Sequence, residues 1–135
     1  MALINWESSF SVNIAEIDTQ HKKIIGFINE LNDAMKEGKG KEVLSAILNE
    51  LINYTATHFK YEEQYFEKFG YPETEAHKQH HANLVQEVVS FRDNFQSGKL
   101  GVTVEVLSFL IGWLKNHILV EDKKYTSCFN SNGLK

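Results

Sequence analysis

Apolar residues along this chain return in steps of three and four over four long stretches, the spacing of one face of an α-helix. Over residues 19–37 that face carries His21, Ile24, Ile28, Leu31 and Met35. Over 41–69 it carries Leu44, Leu48, Leu51, Thr55, His58, Glu62, Tyr65 and Phe69, and over 73–96 His77, His81, Leu84, Val88, Phe91 and Phe95. Over 102–127 it carries Val106, Leu110, Trp113 and His117 before the phase blurs. Between the stretches stand Gly38-Lys39-Gly40, Gly70-Tyr71-Pro72 and Ser97-Gly98-Lys99-Leu100-Gly101. Each reads as a short connection, with glycine just past a helix end and Pro72 at a helix start. Short connections make consecutive helices antiparallel neighbours, so the expected fold is all-α, an up-down-up-down four-helix bundle. One domain is expected over 1–135, a usual size for a single core. Asp18 is placed to cap the first helix. Residues 1–17, with Ile4, Trp6, Phe10 and Val12, read as an extended arm packing across the bundle.

The stripes are interrupted in one respect: five of the six histidines occupy positions the pattern reserves for hydrocarbon. His58 and Glu62 are four apart, as are His77 and His81, so each pair shares a helix face. In an antiparallel bundle the start of the first helix, the later half of the second, the start of the third and the later half of the fourth meet at one end. His21, the two pairs and His117 all fall there, while Met35, Leu44, Leu48, Phe91, Phe95 and Val106 fill the other end. Imidazole and carboxylate buried without partners would cost a few kcal/mol per group. Metal cations remove that cost, and five imidazoles exceed one tetrahedral site, so two ions fit better than one. A donor set of imidazole and carboxylate without thiolate suits iron, with zinc, copper and nickel also compatible.

Two positions are ambiguous from spacing. His80 and His81 are adjacent; the step of three from His81 to Leu84 favours His81, leaving His80 at the surface or behind a ligand. After His117 the chain offers Glu121 at i+4 and Asp122 at i+5. Asp122 is rotated about 140° from the histidine on a regular helix, so periodicity alone selects Glu121. Asp122 reaches the histidine face only if the helix relaxes there, for instance through a π-type bulge.

Composition removes several classes of partner. Fourteen basic against eighteen acidic side chains give a net charge of −4, unlike the basic surface that binds nucleic acid. No apolar run approaches the roughly 18 residues of a membrane span, and no charged-then-apolar leader opens the chain. The single cysteine, Cys128, excludes an internal disulfide and fits a reducing compartment. The expectation is a cytoplasmic chain with no membrane insertion, and a monomer, since no long apolar stripe is left exposed.

The ordered set of His21, His58 with Glu62, His77 with His81, and His117 with Asp122 resembles the hemerythrin family, specifically its stand-alone bacterial form. That family's pattern is a histidine early in the first helix, then HxxxE, HxxxH and HxxxxD. The resemblance covers nearly the whole chain, including Trp6 and the Asp18-Thr19-Gln20-His21 stretch. It implies a non-haem centre of two Fe ions per chain joined by an oxo or hydroxo group. One iron would take His77, His81 and His117, the other His21 and His58, with Glu62 and Asp122 bridging. It also selects Asp122 over Glu121, and with it a helix distortion near residues 118–122 and a solvent-facing Glu121.

By the same resemblance, dioxygen is the ligand, bound reversibly at the iron with fewer histidines, in a dry pocket formed by Ile24, Phe59, Trp113, Leu114 and Ile118. Tyr54, one turn before His58, and Tyr125, near Asp122, are candidates to orient ligands from behind. The function implied is oxygen storage, transport or delivery to an oxygen-using enzyme, with no catalytic residues. The alternatives are a di-iron oxidase or ferroxidase, sensing of oxygen, nitric oxide or redox state, and iron holding. Di-iron oxidases of the four-helix carboxylate type carry a more oxygen-rich ligand set.

Overall fold

The computed structural model describes residues 4–39, 41–98 and 104–135, with side chains left aside at 41 and 104–106. Four long helices are present: α1 (Ala15–Lys36), α2 (Lys41–Phe69), α3 (Thr74–Gln96) and α4 (Val104–Asn116). The rod begun by α4 continues through a π-helical turn (His117–Glu121) and a 3-10 turn (Asp122–Tyr125) into the short α5 (Thr126–Ser131). No strand occurs among the described residues. α1 packs on α2 and on α4, and α2 on α3. The antiparallel arrangement shows in the ring contacts: His21 near the start of α1 lies 4.7 Å from His58 late in α2. The all-α four-helix bundle is therefore the observed fold. None of the helices searched among the described residues is long and apolar enough to cross a membrane.

The arm is less extended than its composition implies. A 3-10 turn covers Ser8–Phe10, and α1 begins at Ala15, four residues before the expected start. Asp18 consequently caps nothing; the residue preceding the helix is Ile14, which offers no side-chain cap. The Asp18 carboxylate instead turns back on the arm, accepting from the Val12 N–H at 2.9 Å and the Ser11 hydroxyl at 2.6 Å. Farther along, the side-chain amide of Asn29 bonds both the N–H and the carbonyl of Ile4. Ile4, Phe10 and Val12 are buried by this arrangement.

Two helix ends show how the connections work. At Gly38 and Gly70 φ is +69° and +65°, a left-handed conformation that favours glycine. There the N–H groups of Lys39 and Tyr71 reach back to the carbonyls of Ala34 and Phe66 at 3.0 and 2.9 Å, closing both helices in the Schellman manner. Pro72 lies in the turn two residues ahead of α3 rather than in its first turn. Gly40, the start of the fourth stretch at 102, residues 99–101 of the third connection and the Val106 side chain lie outside the described residues.

One hydrocarbon core runs through the bundle, including Ile24, Ile28, Leu31, Leu44, Leu48, Leu51 and Leu110. Met35, Phe91 and Phe95 are half-buried against it. On α2 the seam passes through Phe66, which is fully buried, rather than through Tyr65. After Glu62 a step of four, not three, is the one that faces inward.

Candidate metal centre

The end of the bundle opposite the Met35 and Leu44 layer is built from side chains that apolar packing does not explain. His21, His58, Glu62, His77, His81, His117 and Asp122 are each at most 3% exposed. Their donor atoms fall into two overlapping groups, each within 4.8 Å: Glu62, His77, His81, His117 and Asp122; and His21, His58, Glu62 and Asp122. Glu62 and Asp122 belong to both groups.

Asp122 stands between the groups, with Oδ1 lying 3.2 and 3.0 Å from Nε2 of His77 and His117 and Oδ2 lying 2.9 Å from Nε2 of His21. Oε1 of Glu62 is 3.3 Å from Nε2 of both His58 and His81, while the Tyr125 hydroxyl donates to Oε2. Asp122 attains this position because the π-helical turn from His117 to Glu121 inserts extra residues per turn. The i+5 carboxylate is thereby brought to the histidine face. Glu121, the regular-helix choice, is partly exposed and pairs with Lys124 at 3.5 Å.

Two imidazoles are fixed by groups behind them. Nδ1 of His58 is 2.5 Å from Oε1 of Gln20, and Nδ1 of His81 is 2.8 Å from Oε2 of Glu63. Both partners are acceptors, so both nitrogens carry the proton and Nε2 presents its lone pair inward. Burial lowers both rings to about 3, far below the ordinary histidine range, and for His81 the neighbouring His117 and His77 add to it. Burial would also lower His77, but the contacts to Asp122 outweigh it and the net direction is up. Burial would raise the Asp122 carboxyl; His117, His21 and His77 together hold it well below the usual carboxylate range.

The short N···O approaches are not hydrogen bonds in direction. Nε2 of all five histidines, Oε1 of Glu62 and both oxygens of Asp122 are buried without a hydrogen-bond partner. Unpaired buried donor atoms at this density are costly unless a cation gathers them. Neutral imidazole lone pairs with carboxylate oxygens and no thiolate are a donor set suited to iron, zinc, copper or nickel. The residues present fit a metal pair, five donor residues on one side and four on the other, with two shared.

Of the apolar positions singled out by sequence, Phe59 and Trp113 lie against histidines of this centre, and Ile24, Leu114 and Ile118 belong to the buried hydrocarbon core. Phe59 stacks face to face on His81 at 3.7 Å and lies 5.8 Å from His58, touching both groups. Trp113 is half-buried and stacks on His117 at 5.8 Å. Ile24, Leu114 and Ile118 are each 1% exposed. Trp113 also walls a cavity of about 10 Å³ with Leu51, Thr55 and Leu110, room for about one water.

His80 is half-buried and stacks on the outer side of the cluster against His117 at 5.3 Å. Tyr54 contacts Phe27 and Lys23, not His58. Gln20 and Glu63 were missed by reading the seam as one file of residues. A signal existed: Gln20 falls in the series Ile17, Gln20, Ile24 and Glu63 in Phe59, Glu63, Phe66, each a polar residue between buried ones.

Comparison with known proteins agrees with this geometry. A family model described as the hemerythrin HHE cation binding domain matches residues 12–128. The bacteriohemerythrin of Pseudomonas aeruginosa is 38% identical over 125 residues, covering 93% of this chain and 80% of that protein. The bacteriohemerythrin of Methylococcus capsulatus is 36% identical over 132 residues, covering 97% of this chain and all of that one. A crystal structure of wild-type hemerythrin superposes with a TM-score of 0.89 at 35% identity, covering 94% of this chain and 98% of that chain.

Proposed function

This chain belongs to the hemerythrin family, and we propose that it binds dioxygen reversibly at two iron ions held by His21, His58, Glu62, His77, His81, His117 and Asp122. The observation carrying this reading is the inequality of the two donor groups. Three histidines stand on one side and two on the other, with both carboxylates common. An iron held by His21 and His58 with the two shared carboxylates would have one protein donor fewer than one held by His77, His81 and His117, which would leave room for a small ligand. When bound, the iron pair supplies the electrons and the coordination position that dioxygen needs.

The chain's own residues make that chemistry reversible. Nδ1–H bonds to Gln20 and Glu63 hold the His58 and His81 rings with their lone pairs inward. Glu62 is kept in place by the Tyr125 hydroxyl. Burial first, then the charges of Asp122 and Glu62, push the Tyr125 phenol well above its ordinary value, so it remains a donor to Glu62 rather than a proton source for a bound ligand. Phe59, Leu114, Ile118 and Ile24, together with Trp113, exclude water and bring no acidic side chain, which disfavours loss of the ligand by protonation. The ligand set is richer in nitrogen than the glutamate-dominated centres of four-helix di-iron oxidases, which favours binding over turnover.

The test is optical. Protein loaded with iron and reduced without air should develop a visible band on exposure to oxygen and lose it on deoxygenation, over repeated cycles. Metal analysis should give two irons per chain. Continuous oxygen consumption with no band that reverses would refute the reading.

A further inference from the structure

The two histidines with a side-chain partner behind them are backed by chemically different groups. His81 Nδ1–H donates directly to the carboxylate of Glu63 at 2.8 Å. His58 Nδ1–H donates to the neutral carboxamide of Gln20 at 2.5 Å, and the amide nitrogen of Gln20 in turn donates to Glu16 at 3.3 Å. A full negative charge therefore touches Nδ1 of one ring, while behind Nδ1 of the other an uncharged group stands between the ring and Glu16. These rings belong to opposite donor groups. His21 and His117 carry no such partner, since Nδ1 of each is buried without a hydrogen bond.

We propose that Glu63 is a positioning residue that makes His81 a stronger imidazole donor than its counterpart His58, and that the pair Glu63 and Gln20 sets the electronic difference between the two metal positions from outside the ligand set. The physical ground is that a carboxylate sharing the proton of a ligating imidazole pushes the ring toward imidazolate, raising its basicity and fixing its orientation. A carboxamide fixes orientation alone. The side with three histidines is thus also the side with the more electron-rich nitrogen, which favours the higher oxidation state there. The side with two histidines, where the proposed function puts the small ligand, keeps the weaker donors. Glu63 reaches the site from the open groove between α2 and α3, which Lys60, Lys78 and Gln86 also line, so its substitution leaves the packed core untouched.

The proposal rests on the two-metal reading but not on dioxygen, and its test is framed accordingly. Glu63→Gln keeps shape and hydrogen-bond acceptor and removes only the charge. Glu16→Gln combined with Gln20→Glu does the reverse on the other side without placing two carboxylates together. Zinc(II) titrated into the metal-free full chain against a competing chelator should show one of the two binding steps weakened 10–100-fold in Glu63→Gln, the other unchanged. The double variant should strengthen that other step. In iron-loaded protein the midpoint potential should rise in Glu63→Gln and fall in the double variant, opposite signs that a general loosening of the fold would not produce.

Isotherms identical to the parent, both steps weakening together, or shifts of the same sign in the two variants would overturn the proposal. A protein with these shifts but no reversible oxygen spectrum would refute the proposed function and leave this inference standing. A reversible spectrum with an indifferent Glu63→Gln would do the opposite.

Discussion

Replacing Tyr125 by phenylalanine removes a single heavy atom from a buried hydrogen bond at the centre. Tyr125 is fully buried, its ring stacked on Phe129 at 4.4 Å and against Phe66 at 5.4 Å. Tyr125→Phe leaves those contacts in place and deletes the donor to Glu62 Oε2. Glu62 is itself 0% exposed, and its Oε1 has no hydrogen-bond partner, so the carboxylate loses its one side-chain donor. A hydrogen bond to a charged acceptor contributes about 1.5–3 kcal/mol, with little discount for solvent at this burial. For a chain of this length each kcal/mol moves Tm by roughly 3–4 °C, so metal-free Tyr125→Phe should melt roughly 5–10 °C below the parent. A double-mutant cycle with Glu62→Leu, which has no acceptor for the hydroxyl, separates the bond from other effects and should give a coupling of about 1–3 kcal/mol. If Tyr125→Phe melts with the parent, or costs as much in the Glu62→Leu background as in the native one, the hydroxyl does not serve Glu62 and the reasoning fails.

Three other outcomes are expected. Removing metal with a chelator should lower Tm, because ions bound only by the folded chain contribute about 4 kcal/mol at 1,000 times Kd; calorimetry showing equal Tm with and without metal would refute the donor-cluster reading. For the metal-free chain, His58 and His81, which titrate near 6.5 when unfolded and are pushed to about 3 when folded, carry stability that is present above pH ~6.5 and lost as pH falls toward 3. Between about pH 7.5 and 5.5 each should lose about 1.4 kcal/mol, opposed in part by His77, whose raised value acts in the other direction; urea midpoints should fall over that interval, and a flat profile would refute the assignment. Leu114→Asn puts an unpaired amide where the side chain is 1% exposed; it should cost about 1–3 kcal/mol in denaturant titrations and shorten the life of the oxygenated form in stopped-flow spectra, and a longer life would refute the dry-pocket argument.

The helices were legible because hydrophobic burial imposes its own period, and the histidines because five of them stand on the stripe itself. Local chemistry misled at the start of α1, where Asp18 looks like a cap and the true first turn, at Ala15, has none. The choice between Tyr65 and Phe66 turned on one step of three or four, which periodicity leaves undetermined and the rings of His77 and Phe129 decide. Periodicity also pointed to Glu121; the resemblance pointed to Asp122, and the π-helical turn supplies its geometry. The inward positions of Gln20 and Glu63 could be read from their own helices, but not their roles, because each acts on a ring of another helix, a relation no single stripe records.

That turn has a consequence for anyone transplanting this centre. Upstream of His117 the rod keeps step with the bundle; downstream Asp122, Tyr125 and Phe129 are displayed on a rotated register, all three fully buried. A regular helix carrying the same seven side chains would aim one carboxylate at the solvent and swing two aromatic rings off their seats. The irregularity is therefore as much a part of the blueprint as the histidines, and a scaffold that smooths it away copies the letters while losing the word.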